Sequence, residues 1–398
     1  MNKNIKYLIE DIVNFNPADY SEEAPDLIDT NMIYNILEVP KERDELWEII
    51  KKRIYENKFG NNMLYFPDLS NIDTSLITDM SCLFLAFMYE FNDKTPIKLD
   101  LSGWDTSNVT NMSSLFANME NLISVDLSGW DTSNVTSMTY MFAHCKKIEE
   151  LDLSNFDTHN VMDMACMFLN CNTLKKLDLS NFDTANVISM TCMFLDCQSL
   201  SELDISSFNT SNVADIRQMF YGCHLLTKLD LSNFSTNNIS SLYGIFRECR
   251  QLKELDLSNF DTSNVTDMGN MFRDCWSLTE LDLSNFDTSC VTYMCNMFMG
   301  CKRLTELNLS SFDTTRVNDA SSMFRECESL VELDLSSFNL STANLYSDSM
   351  DQMFAFCKSL IRIFVSGFIT TNKMANKWNM FLHCDSLKNK EELIKTNR

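Results

Sequence analysis

Glycine, proline and histidine are scarce, at 8, 5 and 4 of 398 residues. So little glycine and proline argues against long flexible linkers between separate domains. No glycine-rich loop precedes a helix, which excludes the usual phosphate cradle. The histidines His144, His159, His224 and His383 lie in no nucleophile, metal or phosphate motif. The expectation is therefore a non-enzymatic protein with no cofactor and no catalytic residue. Positive charge is also short: 32 Lys and Arg face 56 Asp and Glu, a net charge of −24. Direct nucleic-acid binding needs basic groups to displace counterions, so it is excluded. Adsorption to anionic membranes is disfavoured for the same reason. No stretch approaches the ~20 apolar residues of a membrane helix. The apolar run within Met1 to Val13 is broken by Glu10 and Asp11 before it reaches signal-peptide length. A cytoplasmic location is expected on that ground.

What the chain does contain is repetition. Asp-Leu-Ser or a near variant recurs ten times, centred on Leu101, Leu127, Leu153, Leu179, Ile205, Leu231, Leu257, Leu283, Leu309 and Leu335. Each step is 26 residues. A fixed period of this size marks a solenoid, a one-dimensional stack with a long surface. The 45% apolar content is ample for a continuous core. Two degenerate coils flank the ten, one at Asp68-Leu69-Ser70 and one at Val365-Ser366-Gly367. The extra residues of those steps fall around Tyr89 to Pro96 and Tyr346 to Ser349. About twelve coils at ~4.8 Å would make a stack roughly 55 Å long.

The unit Leu278 to Leu304, LTELDLSNFDTSCVTYMCNMFMGCKRL, serves as the type coil. Thr279 to Ser284 alternates, with Leu281 and Leu283 facing inward, and reads as a strand. Asn285 to Cys290 is turn-rich, and Asp287-Thr288 suits an Asx-type turn. Val291, Met294, Met297, Phe298 and Cys301 are spaced by three and four, which predicts a short helical or 3₁₀-like segment over Met294 to Gly300. Identical coils must pair their strands in parallel, and the handedness expected is right-handed.

Ten of the fifteen cysteines occupy one slot, three residues after a Phe, from Cys145 to Cys384. A register this strict predicts buried, reduced thiols used as filler. Cys166, Cys192, Cys290 and Cys295 lie outside it, without the paired short spacings of a zinc site, so no metal centre is expected. Residues 1–64 show helical spacing, at Ile5, Leu8, Ile9, Ile12 and Val13 and again at Leu46, Ile49, Ile50 and Ile54. They predict a helical N-terminal cap or adaptor. The solenoid itself should span 65–385. Residues 386–398 predict a C-terminal cap helix through Leu387 and Leu393.

Phe-Asp-Thr, Val-Thr-x-Met and Met-Phe-x-x-Cys recur in fixed order over about Phe66 to Ser386. This unit resembles the BspA-like leucine-rich repeat family, the repeat of mycoplasma-type, lipoprotein-associated proteins of unknown function. The resemblance implies a bacterial leucine-rich-repeat-like fold, commonly displayed at the cell surface and associated with adhesion or host contact. Residues 1–64 are outside it.

The candidate surface is the outward row of the strands. Its central line runs from Asp100 to Asp334, with Asn308 the exception. Two residues earlier the line ends in Glu254, Glu280, Glu306 and Glu332. With Asp256, Asp282 and Asp334 these form an acidic face in the C-terminal half. The plain reading is a solvated face whose Ser hydroxyls relieve the repulsion. The sharper one is a contact surface for a basic protein, with weak cation binding on the Asp ladder as a further alternative. Trp276 fills a slot held elsewhere by Lys146, Asn172, Gln198, Arg250 and Lys302, and is either a binding anchor or packed on its neighbours. Asn108, Asn134 and Asn264 match the glycosylation pattern by coincidence of the repeat. The reading is a protein-interaction scaffold that binds a basic partner. The alternatives are a surface adhesin, an acidic mimic of nucleic acid, and a structural assembly component.

Overall fold

A computed structural model describes residues 41–59, 67–85, 96–338, 350–366 and 379–393. Helix α1 (Lys41–Phe59) precedes a stack of coils. Strands are β1 (Ile97–Asp100), β2 (Leu122–Asp126), β3 (Lys176–Asp178), β4 (Glu202–Asp204), β5 (Glu280–Asp282), β6 (Glu306–Asn308), β7 (Glu332–Leu335) and β8 (Arg362–Val365). They pair in parallel, two by two, in the 26-residue register: Lys176 faces Glu202, and Glu280 faces Glu306. In β1, β3, β5 and β7 the leucines are buried and the acidic or basic residues exposed, as alternation predicts. A second line of parallel bridges runs through Asp79, Asn111, Ser137, Asp163, Ser189 and Asp215, and resumes from Ser241 to Asp319.

The core is one continuous column. Twelve phenyl rings from Phe84 to Phe381 stack with centroids 5.3–6.0 Å apart. Leucines, methionines and valines at matching positions complete it. Ten repeat motifs keep the 26-residue step through nine intervals and a longer interval lies at each end, so the expected solenoid architecture holds.

The segment over Met294 to Gly300 differs from the expected helix. It forms successive turns. Met297 N–H bonds Met294 O, and Met299 N–H bonds Asn296 O. The alternate donors Asn296, Phe298 and Gly300 leave the turn and bond Ser321, Met323 and Arg325 of the next coil. Asn296 and Gly300 have positive φ, and the same pair of positions is left-handed in most coils, as at Cys166 with Asn170. Those left-handed residues stop helical propagation and turn every second N–H along the stack. Inter-coil bonding thus overrides the local helical periodicity. A left-handed residue other than Gly costs about 1–2 kcal/mol, and the added inter-coil bonds offset it.

Side chains complete the same bonding at every corner. The buried threonines Thr106, Thr132, Thr184 and Thr210 donate Oγ1–H to the carbonyl 25 residues on and accept from the N–H of that coil. Asn155 and Asn181 donate Nδ2–H to Leu127 O and Leu153 O. Where Gly-Trp replaces Asn-Phe, the indole takes over, with Trp104 Nε1–H bonding Leu69 O and Trp130 Nε1–H bonding Leu101 O. Glycine is required beside those indoles, because a Cβ at Gly103 would stand 2.0 Å from Ser70 O.

The ladder cysteines are buried and all fifteen thiols are free. They do more than fill space. Eight ladder Sγ–H groups, from Cys145 to Cys327, donate to the carbonyl of the Phe 29 residues earlier at 3.0–3.3 Å, and Cys357 and Cys384 reach Phe324 O and Phe354 O at 2.9 and 2.6 Å. Burial pushes the Cys171 thiol up to about 12.

At the N-terminal end α1 buries Leu46, Trp47, Ile50 and Ile54 and leaves Ile49 exposed. It is held to the first coil by Arg43 on Ser81 O and Arg53 on Asp68 O. At the other end a 3₁₀ turn (Asn379–Phe381) and helix α2 (Lys390–Leu393) follow the last strand, and Asn389 Nδ2–H bonds Ile363 O. The expected helix through Ile5 to Val13 and most of both insertions lie outside the described residues.

Two outcomes follow from this bonding. Thr210→Val should lower unfolding free energy by about 1–3 kcal/mol, because it strands Ser235 N–H and C=O. Thr210→Ser should recover most of that loss in urea titrations. A bulky maleimide should leave the ladder thiols unlabelled in native protein over hours and label them promptly in denaturant, read by intact mass.

Candidate functional site

The strand face forms a shallow groove of about 960 Å³, floored by the buried Leu177 and Leu281 and the half-buried Leu203, Leu229 and Leu255, and walled by charged residues. Glu254, Asp256, Glu280 and Asp282 line its C-terminal end. Glu306, Glu332 and Asp334 continue the row beyond it. The N-terminal end carries Lys176 and Lys228, and Lys176 Nζ pairs with Glu202 Oε2 at 2.7 Å. Among the described residues, Glu254, Glu280, Glu306 and Glu332 have no ion-pair partner. The acidic row stops where Glu332 meets Arg362 across the β7–β8 register.

The aspartate ladder has a structural task that spacing alone did not reveal. Ten aspartates from Asp68 to Asp334 accept, through Oδ1, the N–H of the serine two residues on. Asn308 does the same for Ser310 with its amide oxygen. The pattern recurs at a second corner, for example Asp105 to Ser107 and Asp287 to Ser289, and at a third, for example Asp163 to Ala165 and Asp319 to Ser321. The coil of Asp152, Asp157 and Asp163 is thus folded around three Asx turns, while Ser189, Ser241 and Tyr293 stand at the third corner of other coils. Hydrogen bonds from Ser154, Ser180 and Ser284 hold the carboxyls of Asp152, Asp178 and Asp282 below the usual carboxylate range. At the third corner burial acts the other way and raises Asp163 and Asp267. Much of the negative charge is therefore backbone capping. Among the described residues no group of three or more His, Cys, Asp or Glu could hold a metal ion.

The glycosylation-like asparagines are likewise engaged. Asn108, Asn134 and Asn264 donate their amides to Ser75 O, Ser107 O and Asn237 O of the preceding coil.

Trp276 is not part of the acidic groove. It lies in a separate depression with Leu225, Gln251 and Arg303. Arg250 from the coil before and Lys302 from the coil after flank its ring at 4.5 and 5.2 Å. It is 37% exposed, and its Nε1–H bonds Asp274 Oδ1. Both ideas about this residue, packing and exposure, are thus partly realised. Sequence reasoning missed the charged network beside it. There Glu248 receives His224, Arg247 and Arg250, which together outweigh its burial and hold it down at about 2. The available signal was the run of Arg247, Arg250 and Arg273 in slots of the Met-Phe-x-x-Cys turn.

Comparison with known proteins finds one matching family, described as Mycoplasma protein of unknown function, DUF285. It matches residues 52–150, 85–202, 144–255, 240–368 and 267–395. No curated protein matches the chain. Among solved structures, a leucine-rich cell surface protein from Faecalibacterium prausnitzii is 15% identical, with a TM-score of 0.41, over 77% of this chain and 86% of that one. A leucine-rich-repeat protein of Leptospira interrogans is 15% identical, TM-score 0.26, over 79% and 87%. The functional domain of InlJ from Listeria monocytogenes, which includes a cysteine ladder, is 17% identical, TM-score 0.26, over 81% and 55%.

The capping role has a pH signature. A carboxyl held low in the fold stabilises above its unfolded value of ~3.9 and loses that contribution as pH falls through the folded value. Replacing Asp152, Asp178, Asp230 and Asp282 together by Asn should keep the turns, as Asn308 does, and flatten the loss of stability below pH 4. Replacing the same four by Ala should lower the urea midpoint already at pH 7.

Proposed function

The chain belongs to the DUF285 family of Mycoplasma proteins, and from that premise we propose that it is a non-enzymatic scaffold whose exposed strand face binds a basic protein. The carrying observation is the row Glu254, Glu280, Glu306 and Glu332. These side chains cap no turn and, among the described residues, pair with no cation. The aspartates beside them are explained by the fold; the glutamates are not. Carboxylates repeated at the coil step of about 5 Å mutually repel, and a cationic partner relieves that repulsion. The leucine floor of the groove adds apolar area at its C-terminal end. An adhesin at the cell surface is the same activity placed elsewhere. Among the described residues no helix is long and apolar enough to cross a membrane.

The test is affinity capture with intact protein against the variant Glu254→Lys, Glu280→Lys, Glu306→Lys, Glu332→Lys. Capped turns and core are untouched, so the melting curve should change little. The basic proteins retained by the native chain should be lost from the variant and should elute as salt rises. An identical set on both would remove the strand face as the contact surface.

A further inference from the structure

The C-terminal half is electrically two-sided. The strand face is acidic, yet the depression around Trp276 is lined by no carboxylate. Arg250, Lys302 and Arg303 converge there in a chain whose net charge is −24. Glu248 takes one guanidinium nitrogen of Arg250, at 2.6 Å, while Arg250 Nε is buried without a hydrogen-bond partner. Among the described residues neither Lys302 nor Arg303 has a carboxylate within ion-pair reach. The Trp276 ring holds the Arg250 and Lys302 head groups apart by about two coil steps, or ~10 Å. The edge of Trp276 and the exposed Leu225 supply an apolar patch between and beside them, within a volume of about 460 Å³.

We propose that this depression is a docking site for an acidic peptide segment, distinct from the strand-face groove. Carboxylates ~10 Å apart meet the two flanking cations, which in a peptide of polyproline II form corresponds to residues three apart on one face, at ~3.1 Å per residue. Trp276 serves as the rigid element that sets this spacing, because its faces hold Lys302 with no carboxylate in ion-pair reach and Arg250 with one guanidinium nitrogen on Glu248. A nucleic acid is the weaker occupant. It needs a long basic track to release many counterions, and here three cations sit within two coil steps and beside an acidic face.

The experiment is fluorescence anisotropy of a labelled Glu-Gly-Gly repeat peptide with the full chain. The native protein should bind it at least about ten-fold more tightly than the Gln-Gly-Gly counterpart. Arg250→Gln with Lys302→Gln and Arg303→Gln should lose about ten-fold in affinity. The double variant Lys302→Gln, Arg303→Gln removes only cations without ion pairs, so it tests the site even if the triple variant misfolds, and it should also weaken binding. Changing Glu254, Glu280, Glu306 and Glu332 to Gln should leave binding unchanged or tighten it, which separates this site from the strand face. Equal binding by the double variant would overturn the proposal. So would inorganic phosphate competing at the peptide's own concentration, or a single-stranded oligonucleotide of equal length binding more tightly than the peptide.

Discussion

Each coil of this protein leaves its backbone polar groups for the next coil to satisfy, and almost every local feature follows from that. The turns over Met294 to Gly300 send half their N–H groups along the stack. The buried threonines bridge two backbone groups at once. The thiols, the asparagine amides and the two indoles each find a carbonyl of the coil before. A buried backbone group without a partner costs about 1–3 kcal/mol, so a slot that satisfies one is constrained chemically as well as sterically. The Gly-Trp and Asn-Phe pairs illustrate this: two unlike dipeptides deliver one N–H to the leucine carbonyl at the equivalent position of the coil before, Leu101 O for Trp130 and Leu127 O for Asn155.

This constraint changes the meaning of the chain's charge. An acidic protein invites the idea of a basic partner. Here aspartates sit at most of the coil corners, where a short side chain with an acceptor oxygen closes an Asx turn. Asn308 shows that the acceptor matters there and the charge does not. The glutamates of the C-terminal strands are too long for that role and are not used in it. The capping aspartates stay exposed and anionic, but the fold already uses them; the Glu254 to Glu332 row carries charge with no such task.

Parallel register, buried thiols and the continuous core were legible, because each recurs at one period or stands in a fixed slot; the strand expected in every coil forms at β1 to β8 but not over 149–153, 227–231 or 253–257. The helical reading of the Met-Phe-x-x-Cys segment was not sustained. Its spacing of three and four is also the spacing of two successive turns, and only the left-handed residues at each fourth position distinguish them. Those positions hold Cys166, Tyr140 and Glu326 as well as Gly and Asn, so residue type does not announce them. Ile49 was placed on the buried face of α1, but Trp47 occupies that face instead. Trp276 stands apart from the acidic row, since four residues before a strand is far enough to turn a corner of the coil.

By itself the sequence determined the period, the stacking of like on like and the burial of the ladder thiols. Those properties depend only on residue identity repeating at a constant step. Tertiary structure decided which polar groups are spent inside the stack and which remain for a partner. Whether a carboxylate caps a turn, or a lysine finds a counter-ion, depends on distances between residues 26 positions apart, and those exist only once neighbouring coils are in contact.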